Sequence, residues 1–163
     1  MLASLDRFAA LNRLPPVWPV DLCQLIRDRV RDSRTRLCVL DDDPTGTQTV
    51  HDVTVYMDWE VDTLAAALTS ADPTFYLLTN SRSLLPEAAA RLNHEIGVNL
   101  REACTRTGVD AVVISRSDST LRGHFPGEVE ALECGFDGDF AAWLLIPFFL
   151  EGGRYTIDDV HYV

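Results

Sequence analysis

The chain has 163 residues, 47% hydrophobic and 24% charged, with a mean hydropathy of +0.01, a composition that excludes disordered, collagen-like and fibrous chains and allows one good core. Its 14 basic residues against 25 acidic ones give a net charge of -11, the reverse of the balance with which proteins neutralise phosphate backbones, so no nucleic-acid partner is expected. All the basic residues are arginines, which removes a Walker A lysine and a Schiff-base lysine while leaving room for a local arginine cluster that binds an anion.

Residues 1–20 carry Pro15, Pro16 and Pro19 without a sustained period and read as a loosely held segment. Asp21 opens a helix over 22–31, with Leu22, Leu25, Ile26 and Val30 on one face. The run 36–41 is a buried strand ending in three carboxylates, 52–57 alternates as a strand, 61–70 is a short helix and 75–79 a second buried strand. Pro86 stands at the first position of a helix that continues over 87–107 until Gly108 stops it. A strand over 110–115, a helix over 127–133 and a strand over 142–146 follow; the apolar run 141–150, half a membrane span long and containing Pro147, reads as that buried strand with its exit loop, so no membrane partner is expected. Residues 152–163 form two short strands around Asp158-Asp159.

Strands alternating with helices predict an α/β fold, Rossmann-like, with a mostly parallel sheet, helices on both faces and a C-terminal β-hairpin. Residues 1–35 form an N-terminal segment and helix, and 36–163 the main domain. A hairpin strand is an unusual place for a domain to end, so the chain is expected to continue beyond Val163 in a longer protein. The four cysteines, Cys23, Cys38, Cys104 and Cys134, lack paired spacing, and no leader opens the chain; a reduced, cytoplasmic setting is expected, with the cysteines as small core residues.

Ligands of open parallel sheets bind beyond the carboxyl ends of the strands, and three polar clusters fall there. The first, Asp41-Asp-Asp-Pro-Thr-Gly-Thr47, suits holding sugar hydroxyls, accepting a proton from one, or binding Mg²⁺; the competing reading is an Asp-rich turn or helix cap, which needs only one carboxylate. Asp42 and Asp43 are its candidate catalytic residues, Asp41 still belonging to the strand. The second cluster is Thr79-Asn-Ser-Arg-Ser83. The third, Ser115-Arg-Ser-Asp-Ser-Thr-Leu-Arg-Gly-His124, brackets hydroxyl and carboxylate side chains between two arginines suited to a carboxylate or phosphate, and Gly123 allows close backbone approach. Its competing reading is a polar loop whose arginines pair with nearby acids. His124 reads as a loop histidine rather than a proton-transfer group, and neither His51, His94, His161 nor the cysteines have metal-ligand spacing.

Asp41-x-Asp43-x-Thr45 after a strand, with Leu77-Leu-Thr-Asn80 ending a later one, resembles the first two motifs of haloacid-dehalogenase-type phosphohydrolases, which implies a Mg²⁺-dependent reaction with Asp41 as nucleophile and Asp43 as acid/base. That family normally places a lysine, occasionally an arginine, at a third motif; the chain has no lysine, and 115–124 would be left without a role. A second resemblance explains more. Asp42-Asp-Pro-Thr-Gly46, Asn80-Ser-Arg82, Ser115-Arg-Ser-Asp-Ser-Thr-Leu-Arg-Gly-His124 and Gly153-Arg-Tyr-Thr-x5-His-Tyr-Val163, in that order, are similar to the N-terminal domain of the four-carbon acid sugar kinase family, formerly a family of unknown function. The resemblance implies an ATP-dependent kinase for threonate, erythronate or their oxo forms, whose separate C-terminal domain holds ATP and Mg²⁺. By position, Asp42 and Asp43 would contact hydroxyls, one as base; Arg82, Arg116 and Arg122 would meet the carboxylate or phosphoryl group; Asn80, Ser81, Asp118, Ser119, Thr120 and Gly123 would complete the substrate site. The nucleotide domain is not among these 163 residues, so the chain is expected to be inactive alone and to work with a complementing nucleotide-binding domain or as a homodimer. A sugar-acid-binding module without catalysis is the third expectation.

Overall fold

The computed structural model describes residues 4–118, 122–138, 140 and 142–163, which fall into two compact units divided between Ser33 and Arg34. The first unit holds α1 (Arg7–Leu11), where Asp6 caps the Ala9 N–H at 2.7 Å, and α2 (Cys23–Asp32), whose start is steadied by Asp21 accepting from the Cys23 N–H at 2.9 Å. Neither helix buries a residue; Leu25 and Ile26 of the predicted apolar face are exposed.

The second unit is the α/β architecture that the alternation of elements predicts. Strands β1 (Thr35–Asp41), β2 (Thr54–Tyr56), β3 (Thr74–Leu78) and β4 (Asp110–Arg116) form one parallel sheet in the order β2-β3-β1-β4. Helices α3 (Val61–Thr69), α4 (Pro86–Thr107) and α5 (Gly127–Phe136) intervene, and β5 (Tyr155–Ile157) and β6 (Val160–Tyr162) make a separate antiparallel hairpin. Asp158 and Asp159 turn it, both at positive φ (49° and 62°), a conformation that Asp tolerates better than most residues. Gly108, at φ 65°, ends α4 with its N–H on the Cys104 carbonyl. No helix among the described residues is long and apolar enough to cross a membrane.

Because strand side chains alternate, each strand offers every second residue to the helices. Cys38 and Leu40 of β1, Phe75 and Leu77 of β3, and Ala111 and Val113 of β4 meet Leu64 and Leu68 of α3, Ile96 and Leu100 of α4, and Leu132 of α5 in one cluster. The other set, Leu37 and Val39 with Tyr76, Val112 and Ile114, lines the opposite face, where Val112 is 53% exposed. Helices α4 and α5 cross with their backbones almost touching: a Cβ on Gly135 would stand 2.1 Å from the His94 carbonyl oxygen, and one on Gly97 2.5 Å from that of Leu132.

One predicted element is corrected. Residues 142–146 form no strand, and Leu144, Leu145 and Ile146 are exposed, Leu144 by 85%. Among the described residues the run's backbone pairs at its end, where Phe149 makes an isolated antiparallel bridge with Arg154. The run lacks the ladder hydrogen bonds that would turn apolar character into a buried strand.

Candidate functional site

Parallel register brings the carboxyl ends of β1, β3 and β4 side by side. Asp41 lies opposite Leu78 on one flank and Arg116 on the other. The backbone is stitched beyond the strands: the Thr79 N–H donates to the Asp41 carbonyl at 2.9 Å, the Asp42 N–H to that of Arg116 at 3.4 Å, and the Arg82 N–H to that of Asp42 at 3.3 Å. All three predicted clusters therefore meet at one edge of the sheet.

The three aspartates have different environments. Asp41 is fully buried, its Oδ1 accepting from Arg116 Nη1 at 3.2 Å and its Oδ2 without a hydrogen-bond partner among the described residues. Burial pushes its carboxyl above the ordinary range, and the Arg116 guanidinium only partly offsets this. Above it lies Gly46, where a Cβ would stand 1.9 Å from Asp41 Oδ2. Asp42 is nearly as buried and receives the fork of Arg82, Nη2 on Oδ1 at 2.7 Å and Nε on Oδ2 at 3.1 Å, while the Ser117 hydroxyl donates to Oδ2 at 2.7 Å. Asp43 is the most accessible. Its Oδ1 accepts from the Thr45 N–H (2.8 Å) and hydroxyl (2.6 Å), its Oδ2 from Arg82 Nη1 at 2.7 Å, and the Thr45 bonds first, then Arg82, hold its carboxyl below the ordinary range.

Arg82 thus commits all three guanidinium nitrogens to Asp42 and Asp43, which raises its own pKa further, chiefly through the Asp42 bond. Asn80, in the left-handed conformation at φ 50°, makes the bend that carries Arg82 back toward β1, and its own side chain is exposed. Ser81 is buried, with its oxygen accepting from the Thr79 hydroxyl at 3.2 Å, and so faces inward.

After β4, the buried Asp118 carboxylate takes Arg122 Nε on Oδ2 and Arg154 Nη1 on Oδ1, the latter at 3.4 Å. The Asp118 bond is the main cause that raises the Arg122 pKa. Gly123 lies over Asp42: a Cβ there would be 2.2 Å from Ser117 Oγ and 2.8 Å from Asp42 Oδ2, so glycine is needed for the close approach. Ser119 and Thr120, expected in the site, lie outside the described residues. His124 has a buried Nε2 without a hydrogen-bond partner among the described residues, and its carbonyl accepts from the Glu128 N–H at the start of α5.

Of the sequence candidates, Asp42, Asp43, Arg82, Arg116, Asp118, Arg122 and Gly123 come together, Ser81 supports them from beneath, and Asn80 shapes the turn. Arg154 joins them without having been singled out. Its sequence signal was the glycine pair ahead of it, read only as part of a motif. Among the described residues no group of three or more His, Cys, Asp or Glu is arranged to hold a metal. Asp41 has no exposed surface, so the in-line access that a phosphohydrolase nucleophile requires is missing at that carboxylate.

Acids and arginines clustered at the strand ends of a parallel α/β sheet are the arrangement of small-ligand-binding domains. The family described as "Sugar-binding N-terminal domain" matches residues 37–163, and the chain belongs to it. No curated protein and no solved structure matches the chain. The bound ligand class is therefore a sugar, consistent with carboxylates and hydroxyl groups gathered at one edge.

Proposed function

We propose that this chain is the substrate-holding domain of an ATP-dependent kinase acting on four-carbon sugar acids of the threonate, erythronate or 3-oxo-tetronate type. The observation that carries the reading is the pairing of four acids with four arginines beyond the strands, Asp42 and Asp43 with Arg82, Asp41 with Arg116, and Asp118 with Arg122 and Arg154: a polyol is held by carboxylates and its acid group by guanidinium. Asp43, ionised and the most open of the three, accepts from a substrate hydroxyl and is the group placed to take its proton. Asp42, nearly buried where Asp43 is not, is a positioning residue that keeps Arg82 and Ser117 in place. Phosphoryl transfer asks for positioning and charge stabilisation more than covalent chemistry, which suits such a set.

ATP and Mg²⁺ supply the phosphoryl group in this reading. The described residues do not fit a nucleotide: Gly152 packs against the Phe149 ring, Gly153 serves a turn, and no glycine-rich cradle or lysine is present. The nucleotide is assigned to a complementing domain, and no step through it is derived. A cytoplasmic setting accompanies the proposal, as for other enzymes of small-metabolite chemistry with unpaired cysteines.

The test is calorimetric titration of the chain with threonate and erythronate, repeated with Asp43→Asn and Arg116→Ala. Binding by the wild type that weakens about tenfold or more in the variants is expected, each removing a charged hydrogen-bond partner. Absence of binding, together with Mg²⁺-dependent hydrolysis of small phosphoesters, would overturn the kinase reading in favour of a phosphohydrolase.

A further inference from the structure

Apart from the β1 aspartates, two arginines converge on one carboxylate. Asp118 is buried, and Arg122 and Arg154 reach its two oxygens from different parts of the chain. Arg122 comes from the loop after β4. Arg154 comes from the C-terminal stretch, where the Phe149 and Arg154 backbones exchange hydrogen bonds at 3.0 and 2.9 Å and Gly153, at φ 71°, closes the turn between them. The C-terminal segment is thereby pinned to the site through a side chain 36 positions from its partner.

A guanidinium held through Nε keeps both Nη groups on its outer edge, the edge that forms a fork with carboxylates. Arg122 is bound in this way: its side chain is 68% exposed, and Asp118 is its one partner among the described residues. Arg154, on the other oxygen of the same carboxylate, places a second guanidinium beside that fork. The opposite end of the site differs, because each nitrogen of Arg82 already serves Asp42 or Asp43 and the carboxylates outnumber the arginines bound to them: Asp41, Asp42 and Asp43 face Arg82 and Arg116.

We infer that Arg122 and Arg154, held by Asp118, form the end of the site that receives the ligand's anionic group, so that the substrate lies with its carboxylate toward the C-terminal hairpin and its hydroxyls toward Asp43. The inference rests on the sugar-acid reading above and adds to it a binding residue, Arg154, a positioning residue, Asp118, and a direction for the substrate. A carboxylate on the Arg122 fork meets two positive groups, whereas at the Asp43 end it would meet like charge.

The experiment titrates erythronate and its uncharged counterpart erythritol into the full chain as wild type, Arg122→Gln, Arg154→Gln and Arg154→Lys, with the melting temperature of each followed by circular dichroism. Both glutamine variants are expected to weaken erythronate about tenfold or more, to lose the preference for the acid over the polyol, and to melt near the wild type, with Arg154→Lys recovering part of the affinity. Erythronate affinity unchanged in Arg154→Gln overturns the inference and leaves the sugar-acid reading standing. So does a loss of affinity matched by a fall in melting temperature that lysine fails to recover, since that marks Arg154 as structural. A wild type that binds no four-carbon acid overturns both.

Discussion

At the scale of single residues, the site is an arrangement of unequal carboxylates. Arg82 compensates the buried Asp42, so Arg82→Ala leaves an anion with little solvent and is expected to cost on the order of 3 kcal/mol in urea unfolding. Arg82→Lys should fall between, having the charge without the fork. Asp41 and Asp43 pull pH dependence in opposite directions. The folded Asp41 carboxyl titrates above its unfolded value, so its contribution is full in acid and is lost as pH rises through the folded value. That of Asp43 is present above the unfolded value and is lost as pH falls through its lowered one. Urea midpoints should therefore show Asp41→Asn gaining on the wild type from about pH 4 toward neutrality, where an unfolded Asp ionises. A variant that instead loses ground to the wild type over that range would contradict the raised Asp41 carboxyl. The aspartate and arginine clusters were legible in the sequence because polar residues crowd where strands end. Which acid holds which arginine was not, since Asp42 and Arg82 lie 40 positions apart and meet only through the register of β1 and β3.

At the scale of elements, the sheet depends on how closely α4 and α5 cross. Gly135 presses on the His94 carbonyl and Gly97 on that of Leu132, so Gly97→Ala or Gly135→Ala must separate two backbones rather than move a side chain. Each is expected to cost about 1–3 kcal/mol, read as a lower urea midpoint, and unaltered midpoints would mean that the helices yield freely. Strands β1 and β3 were readable because runs such as Leu-Cys-Val-Leu are apolar without alternation, as buried parallel strands are, and α4 because proline and glycine mark its ends. Residues 142–146 carry an equally apolar run but no ladder, because apolar character expresses a need for burial without naming the edge that would supply it. The hairpin β5-β6 was legible from its Asp-Asp turn, whereas its service to the site through Arg154 was not.

At the scale of the whole molecule, the two units should differ in resistance to protease. Trypsin has only arginines to cut, and Arg27, Arg29 and Arg31 stand on a helix that buries nothing, whereas Arg101 and Arg106 belong to a helix locked into the core. Early cuts are expected within α2, leaving a fragment that runs from the start of the second unit, readable by mass spectrometry; cleavage in α4 at the same rate would contradict the division. The wiring of the site also bears on how the protein is made. Asp42 finds Arg82 40 positions later and Asp41 finds Arg116 75 positions later, so a chain emerging from the ribosome presents three adjacent negative charges before either counterion has been synthesised. Until then mutual repulsion works against compaction of the first strands, and only the late arginines release it. Closure of this end of the sheet is thus tied to the completion of β4, whose last residue supplies the counterion of the buried Asp41.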